Sequence, residues 1–184
     1  MGTDKAGLRF GGRPFWKIQT SLLRDLRLSP LLVVGKHPPP WLPRDFYFLE
    51  DDPGFPDSGP LAGFAALGRR LSTGICLTLG IDYPALPRNW LLEQIEGQGP
   101  EEGWIPEISG HFLPFVASYP VSVLREAAAC LEHRQLRVLS WVQSGIRSGK
   151  LRTIKIDPEA AEGFANVNHP GDVERLQKDH ESSS

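Results

Sequence analysis

An α/β chain, with a mostly parallel sheet covered by helices on both faces, is what this sequence predicts. Two observations carry that reading. Short continuous apolar runs, such as Leu31-Leu32-Val33-Val34 and Ile75-Cys76-Leu77-Thr78-Leu79-Gly80-Ile81, suit strands buried on both faces. Segments with helical apolar spacing alternate with them, which is the order that builds a parallel sheet through crossover connections.

The elements follow in order. Residues 15–28 place apolar side chains at helical spacing behind Pro14, and Pro30 closes that helix. Residues 31–34 form a buried strand ended by Gly35, and residues 46–49 a weaker one. Gly59-Pro60-Leu61-Ala62-Gly63 leads into a helix over 64–71, where Arg69 and Arg70 suit the negative end of the helix dipole. The central strand, 75–81, is stopped by Asp82-Tyr83-Pro84, because proline disfavours helix before it and lacks a ladder donor. A helix over 89–95, extended pieces near 103–108 and 112–117, and a helix over 121–131 come next. Segments 138–145, strand-like 151–156 and 173–178 complete the series, with no internal repeat.

A length of 184 residues fits one domain, read as 1–178 with a disordered tail over 179–184. Pro38-Pro39-Pro40 and residues 52–58 read as surface loops. Twenty basic against twenty-two acidic side chains give a net charge of -2, without the basic stripe that tracks nucleic acid. Cys76 and Cys130 lie far apart, and the five histidines lack metal-ligand spacing, so neither a disulfide framework nor a zinc site is expected. The five tryptophans are scattered and read as packing residues. No apolar stretch reaches membrane-spanning length and no leader follows the basic N-terminus, so the expected setting is the cytoplasm.

Ligands of open parallel sheets bind beyond the strands' carboxyl ends, which singles out Asp82 as either a Mg²⁺ ligand or an ordinary turn residue. Asp4-Lys5 offers a cation for a departing pyrophosphate, or an exposed charge pair. Glu50-Asp51-Asp52 follows the second strand, where a carboxylate can accept hydrogen bonds from a nucleobase or simply face water. Gly59 to Gly63 lets a ligand approach backbone amides at a helix start, or is a structural turn. Asn166 and Asn168, two apart in an extended segment, share a face; they hold a polar substrate or cap the helix after Pro170. No Gly-x-Ser-x-Gly elbow or Cys/His pairing argues for a hydrolase.

Taken together, Met1-Gly2-x-Asp4-Lys5, Glu50-Asp51, Gly59-Pro60-Leu61-Ala62-Gly63, Asp82-x-Pro84 and Asn166-Val167-Asn168-x-Pro170 resemble the molybdenum cofactor guanylyltransferase family over nearly the whole chain. The resemblance implies a three-layer Rossmann-like nucleotidyltransferase fold. It implies transfer of GMP from GTP to the terminal phosphate of molybdopterin, with pyrophosphate released and Mg²⁺ required. Carried over by motif, Lys5 contacts the nucleotide phosphates, Asp51 helps hold the guanine nucleotide, Asp82 binds the metal, and Asn166 and Asn168 lie near the active cleft. Molybdoenzymes or other cofactor-assembly proteins are implied as further partners. Family members place a strand, a Leu-Ala-Gly-Gly loop and an Arg before such a Met-Gly. Here nothing precedes Met1, so the first strand and its phosphate-cradling amides are expected to be absent, with a true start upstream. Gly35-Lys36-His37 also stands where the family often has a nucleotide-contacting Asn. The alternatives are a related transferase for another base or acceptor, such as a cytidylyltransferase, or an inactive N-terminally truncated remnant.

Overall fold

The computed structural model describes residues 5–55 and 58–182, so of the opening motif only Lys5 lies within the described residues. A 3-10 turn (Lys5–Gly7) leads into short strands β1 (Arg9–Phe10) and β2 (Arg13–Pro14), then α1 (Phe15–Asp25), β3 (Leu32–Gly35) and β4 (Tyr47–Glu50). Next come α2 (Pro60–Arg70), β5 (Ile75–Leu79), α3 (Arg88–Glu96), β6 (Gly103–Ile108), β7 (His111–Phe112) and β8 (Val116–Pro120). Helices α4 (Val121–Glu132) and α5 (Val138–Arg147), strand β9 (Leu151–Lys155), a 3-10 segment (Pro158–Phe164) and α6 (Pro170–Ser182) close the order. Helix α6 thus continues through Ser182, into the stretch where a disordered tail is expected.

These residues group into two compact units, each built from separate stretches of a chain that reads as one domain in sequence. The first draws its described residues from 5–29, 79–97 and 156–182. Its core is Phe15, Val167, Val173 and Leu176, with Leu8, Ile18, Ile81 and Ala165 packed against them. Helix α1 begins after Pro14, whose extended backbone is compatible with entry into a helix. It ends at Asp25, earlier than the proline signal suggests, because Arg27 turns into the left-handed region at φ 54.

The second unit takes Pro30–Thr78 and Gln98–Lys155. Strands β3 and β4 pair in parallel, Leu32 opposite Tyr47 and Gly35 opposite Glu50. A second sheet runs β5-β8-β6-β7, with β9 also on β6. There β6 is parallel to β9 but antiparallel to β7 and β8, so this sheet is mixed. The reason is local: Ser109 and Gly110, at φ 49 and 84, make the two-residue turn that folds β7 straight back onto β6. Leu113-Pro114-Phe115 then divides the expected 112–117 strand into β7 and β8, through a bond from Val116 N to the Leu113 carbonyl at 3.0 Å.

The second unit's core gathers Leu61, Phe64, Ile105, Tyr119, Leu124 and Trp141. Its buried polar ends are satisfied: Trp141 Nε1 donates to the Val123 carbonyl at 3.0 Å and the Tyr119 hydroxyl to that of Pro114 at 2.8 Å. Among the described residues no helix is long and apolar enough to cross a membrane.

Candidate active site

In the first unit the chain turns sharply after β5. A Cβ at Gly80 would stand 2.8 Å from Asp82 Oδ1, so glycine there leaves room for the carboxylate to fold back over the strand end. Two anchors hold the loop: Gln19 Nε2 of α1 donates to the Tyr83 carbonyl at 2.5 Å, and Val167 N donates to the Asp82 carbonyl at 2.8 Å.

Lys5 reaches this loop from the start of the chain. Its ammonium lies 3.4 Å from Asp82 Oδ2 and donates to Asn168 Oδ1 at 2.5 Å. The Asp82 side chain is 17% exposed and that of Lys5 39%, so the pair is sheltered but reachable from solvent. Asn166, two residues before Asn168, donates from Nδ2 to the Tyr83 hydroxyl at 3.4 Å. Four sequence-expected residues therefore meet around a single loop. Burial pushes the Tyr83 hydroxyl up, the Asn166 bond opposes this and Asp82 adds to it, so the phenol stays protonated at neutral pH.

Asp51, the fifth, belongs to the second unit. Its amide donates to the Gly35 carbonyl at 2.9 Å, which extends the β3–β4 pairing by one bond. A Cβ at Gly63 would stand 3.2 Å from both Asp51 Oδ1 and Val34 Cγ1, so the glycine lets α2 approach this carboxylate. The Gly59–Gly63 turn, where α2 begins with Pro60, and Asp51 are thus brought together. Burial raises the Asp51 carboxyl, Lys36 opposes the rise and Glu50 adds to it. Asp52 plays a structural part instead. Fully buried, it accepts the Gly54 amide at 3.0 Å and pairs with Arg69 Nη2 at 3.0 Å, tying its loop to α2.

Three supporting residues escaped the sequence reading. Gln19 sits on the buried face of α1 with Phe15 and Leu22, and a lone amide on an apolar helix face was a visible signal. Tyr83 reads in sequence only as part of a turn. Asp172 accepts the amides of Asn168 and His169 at 3.0 Å each, the carboxylate half of a capping box, so it ties the Asn-Val-Asn segment to the start of α6. The Asp172 carboxylate, not the asparagines, does the capping.

Among the described residues no group of three or more His, Cys, Asp or Glu side chains gathers as a metal site. The donors present nonetheless suit Mg²⁺, which is commonly held by one or two carboxylates while phosphates and waters complete its shell. Asp82 Oδ2 and Asn168 Oδ1 already converge on one cation, the Lys5 ammonium, and both are hard oxygen donors.

In the first unit a sheltered carboxylate, an ammonium and side-chain amides thus gather at a strand end, where ligands of α/β sheets commonly bind. The chain belongs to the family described as the MobA-like NTP transferase domain, which it matches over residues 1–145. It is therefore a nucleotidyltransferase by family. A molybdenum cofactor guanylyltransferase from Cereibacter sphaeroides is 30% identical over 185 residues, covering 96% of this chain and 88% of that protein. A probable molybdenum cofactor guanylyltransferase from Opitutus terrae is 28% identical over 183 residues, covering 98% and 90%. Among solved structures, the molybdopterin-guanine dinucleotide biosynthesis protein A of Archaeoglobus fulgidus has the same fold, with TM-score 0.69 at 17% identity, covering 98% of this chain and 92% of that one.

Proposed function

We propose that this protein transfers GMP from GTP to the terminal phosphate of molybdopterin, releasing pyrophosphate, in the cytoplasm. The observation that carries the reading is the convergence of Lys5 Nζ on Asp82 Oδ2 and Asn168 Oδ1. The similar proteins named molybdenum cofactor guanylyltransferases support the choice of nucleotide and acceptor in this reading.

In the proposed reaction an acceptor phosphate oxygen bonds to the α-phosphorus of GTP while the bond to the β-phosphate oxygen breaks, and the electron pair leaves with pyrophosphate. Such a displacement needs in-line positioning and charge neutralisation more than a protein nucleophile. In this reading Lys5 neutralises charge. Its ammonium, held by Asp82 in the free protein, turns to the departing phosphates and donates to their oxygens. Asp82, with Asn168 beside it, would hold Mg²⁺, which supplies further neutralisation of phosphate charge when bound. Asp51 and the amides at the start of α2 receive the guanine nucleotide.

The test is pyrophosphate release from GTP or CTP in the presence of Mg²⁺ and molybdopterin. Acceptor-dependent release with GTP is expected, and Asp82→Asn should lower it by about 10²–10³-fold. Release with CTP alone would replace the base assignment. Neither release nor Mg²⁺-dependent GTP binding would overturn the whole reading.

A further inference from the structure

A cavity of about 350 Å³ opens in the first unit between the 3-10 segment Pro158–Phe164 and α6. Its apolar walls come from Ala161, Ala165, Val167 and Leu176. Its polar groups are Glu162, Asn166, Asp172 and Arg175. We propose that this cavity seats the pterin ring of the acceptor and that Glu162 reads the ring's 2-amino-4-oxopyrimidine edge. The proposal rests on the reading that the acceptor is a pterin phosphate, and goes beyond it by naming the group that recognises the ring.

Glu162 Oε1 is shut off from solvent and has no hydrogen-bond partner among the described residues. A buried acceptor in that condition is costly and calls for a donor. A carboxylate accepts two parallel N–H bonds, which is what a 2-amino group and its neighbouring ring N–H present together.

The charges of the lining exclude the other end of the acceptor. Two carboxylates, Glu162 and Asp172, repel a phosphate, and the only cation among the described lining residues, Arg175, is paired with Asp172 Oδ1 at 3.3 Å. The phosphate instead has Lys5. Asn166 lines the cavity and Asn168 bonds Lys5, and two residues of chain span at most about 7 Å. A flat ring in the cavity with a phosphate on a short side chain bridges that interval.

Guanine carries the same donor edge, so the experiment separates the two sources. The full chain is titrated with 6-hydroxymethylpterin, followed by the fluorescence of the pterin, and in parallel with lumazine, in which an oxo group replaces the 2-amino group, and with guanosine. The pterin should bind, with lumazine at least about tenfold weaker because a donor of the edge is lost. Glu162→Gln should weaken the pterin by about tenfold or more, and Ala161→Phe, which fills the cavity, should abolish binding, with melting temperatures measured for both. Equal affinity for pterin and lumazine, or full pterin affinity in a folded Glu162→Gln protein, would overturn the proposal. So would guanosine binding tighter than the pterin. Mg²⁺-dependent GTP binding by the unaltered chain is read separately, so its failure would count against the proposed reaction and not against the pterin seat.

Discussion

Asp51 and Asp172 show how one residue type acquires opposite behaviour from its surroundings. The Asp172 carboxyl is held below its ordinary value by the amides of Asn168 and His169, with Arg175 adding to this. A carboxyl whose folded value is depressed adds stability that is present above its unfolded value of 3.8 and is lost as pH falls through the folded one. Asp172→Asn is therefore expected to melt at a lower temperature than the unaltered protein at pH 7, the gap closing in acid below 3.8. A gap that persisted unchanged in acid would show that the capping carboxylate is not its source. Asp51 has the reverse sign, because burial raises its carboxyl more than Lys36 lowers it. Its contribution is present below the unfolded value and is lost as pH rises through the folded one. Asp51→Asn should then raise the melting temperature near pH 8 and, with the proposed nucleotide contact gone, weaken GTP binding. Calorimetry and a GTP titration on the same sample read both effects, and a fall in melting temperature at pH 8 would contradict the assignment. Neither sign was legible in Glu50-Asp51-Asp52, whose three carboxylates look alike in sequence yet end exposed, half-buried and buried.

At the scale of elements, helices α2 and α4 approach closely enough to exclude a methyl group. A Cβ at Gly68 would lie 2.6 Å from the carbonyl carbon and oxygen of Leu124, and backbone atoms in a helix cannot step aside. Gly68→Ala is expected to cost about 1–3 kcal/mol despite alanine's better helix propensity. For a chain of this size each kcal/mol lowers the melting temperature by about 2–4 °C, so an unchanged or higher value would refute the close contact. Arg125 of α4 adds to this junction by donating to the Ser72 carbonyl at 2.7 Å, which covers the end of α2. The helices themselves were readable from apolar spacing, as were β3, β4 and β5. The β6–β7 hairpin was not, because Ser109-Gly110 makes a tight turn between two runs that read equally well as separate strands.

At the scale of the whole molecule, Cys76 in the second unit reports on how that unit opens. Burial pushes its thiol up to about 11, so at pH 8 it is almost wholly protonated and a poor nucleophile. Maleimide labelling at pH 8 should be slow at Cys76 in the folded chain and should accelerate in denaturant as the β5 region unfolds. Rapid labelling of Cys76 without denaturant, with Cys130→Ser used to remove the second thiol, would contradict that burial.

The order of residues alone carries the alternation of helices and strands, the family, and the short list of Lys5, Asp51, Asp82, Asn166 and Asn168. Periodicity and motif spacing are local properties, so they survive without the fold. Which of those groups meet depends on three dimensions. Lys5 bonds partners 77 and 163 positions away, and such closures leave no periodic trace in the chain. The unpartnered Glu162 oxygen belongs to the same class of fact, since burial without a partner depends on how the 3-10 segment and α6 pack around it.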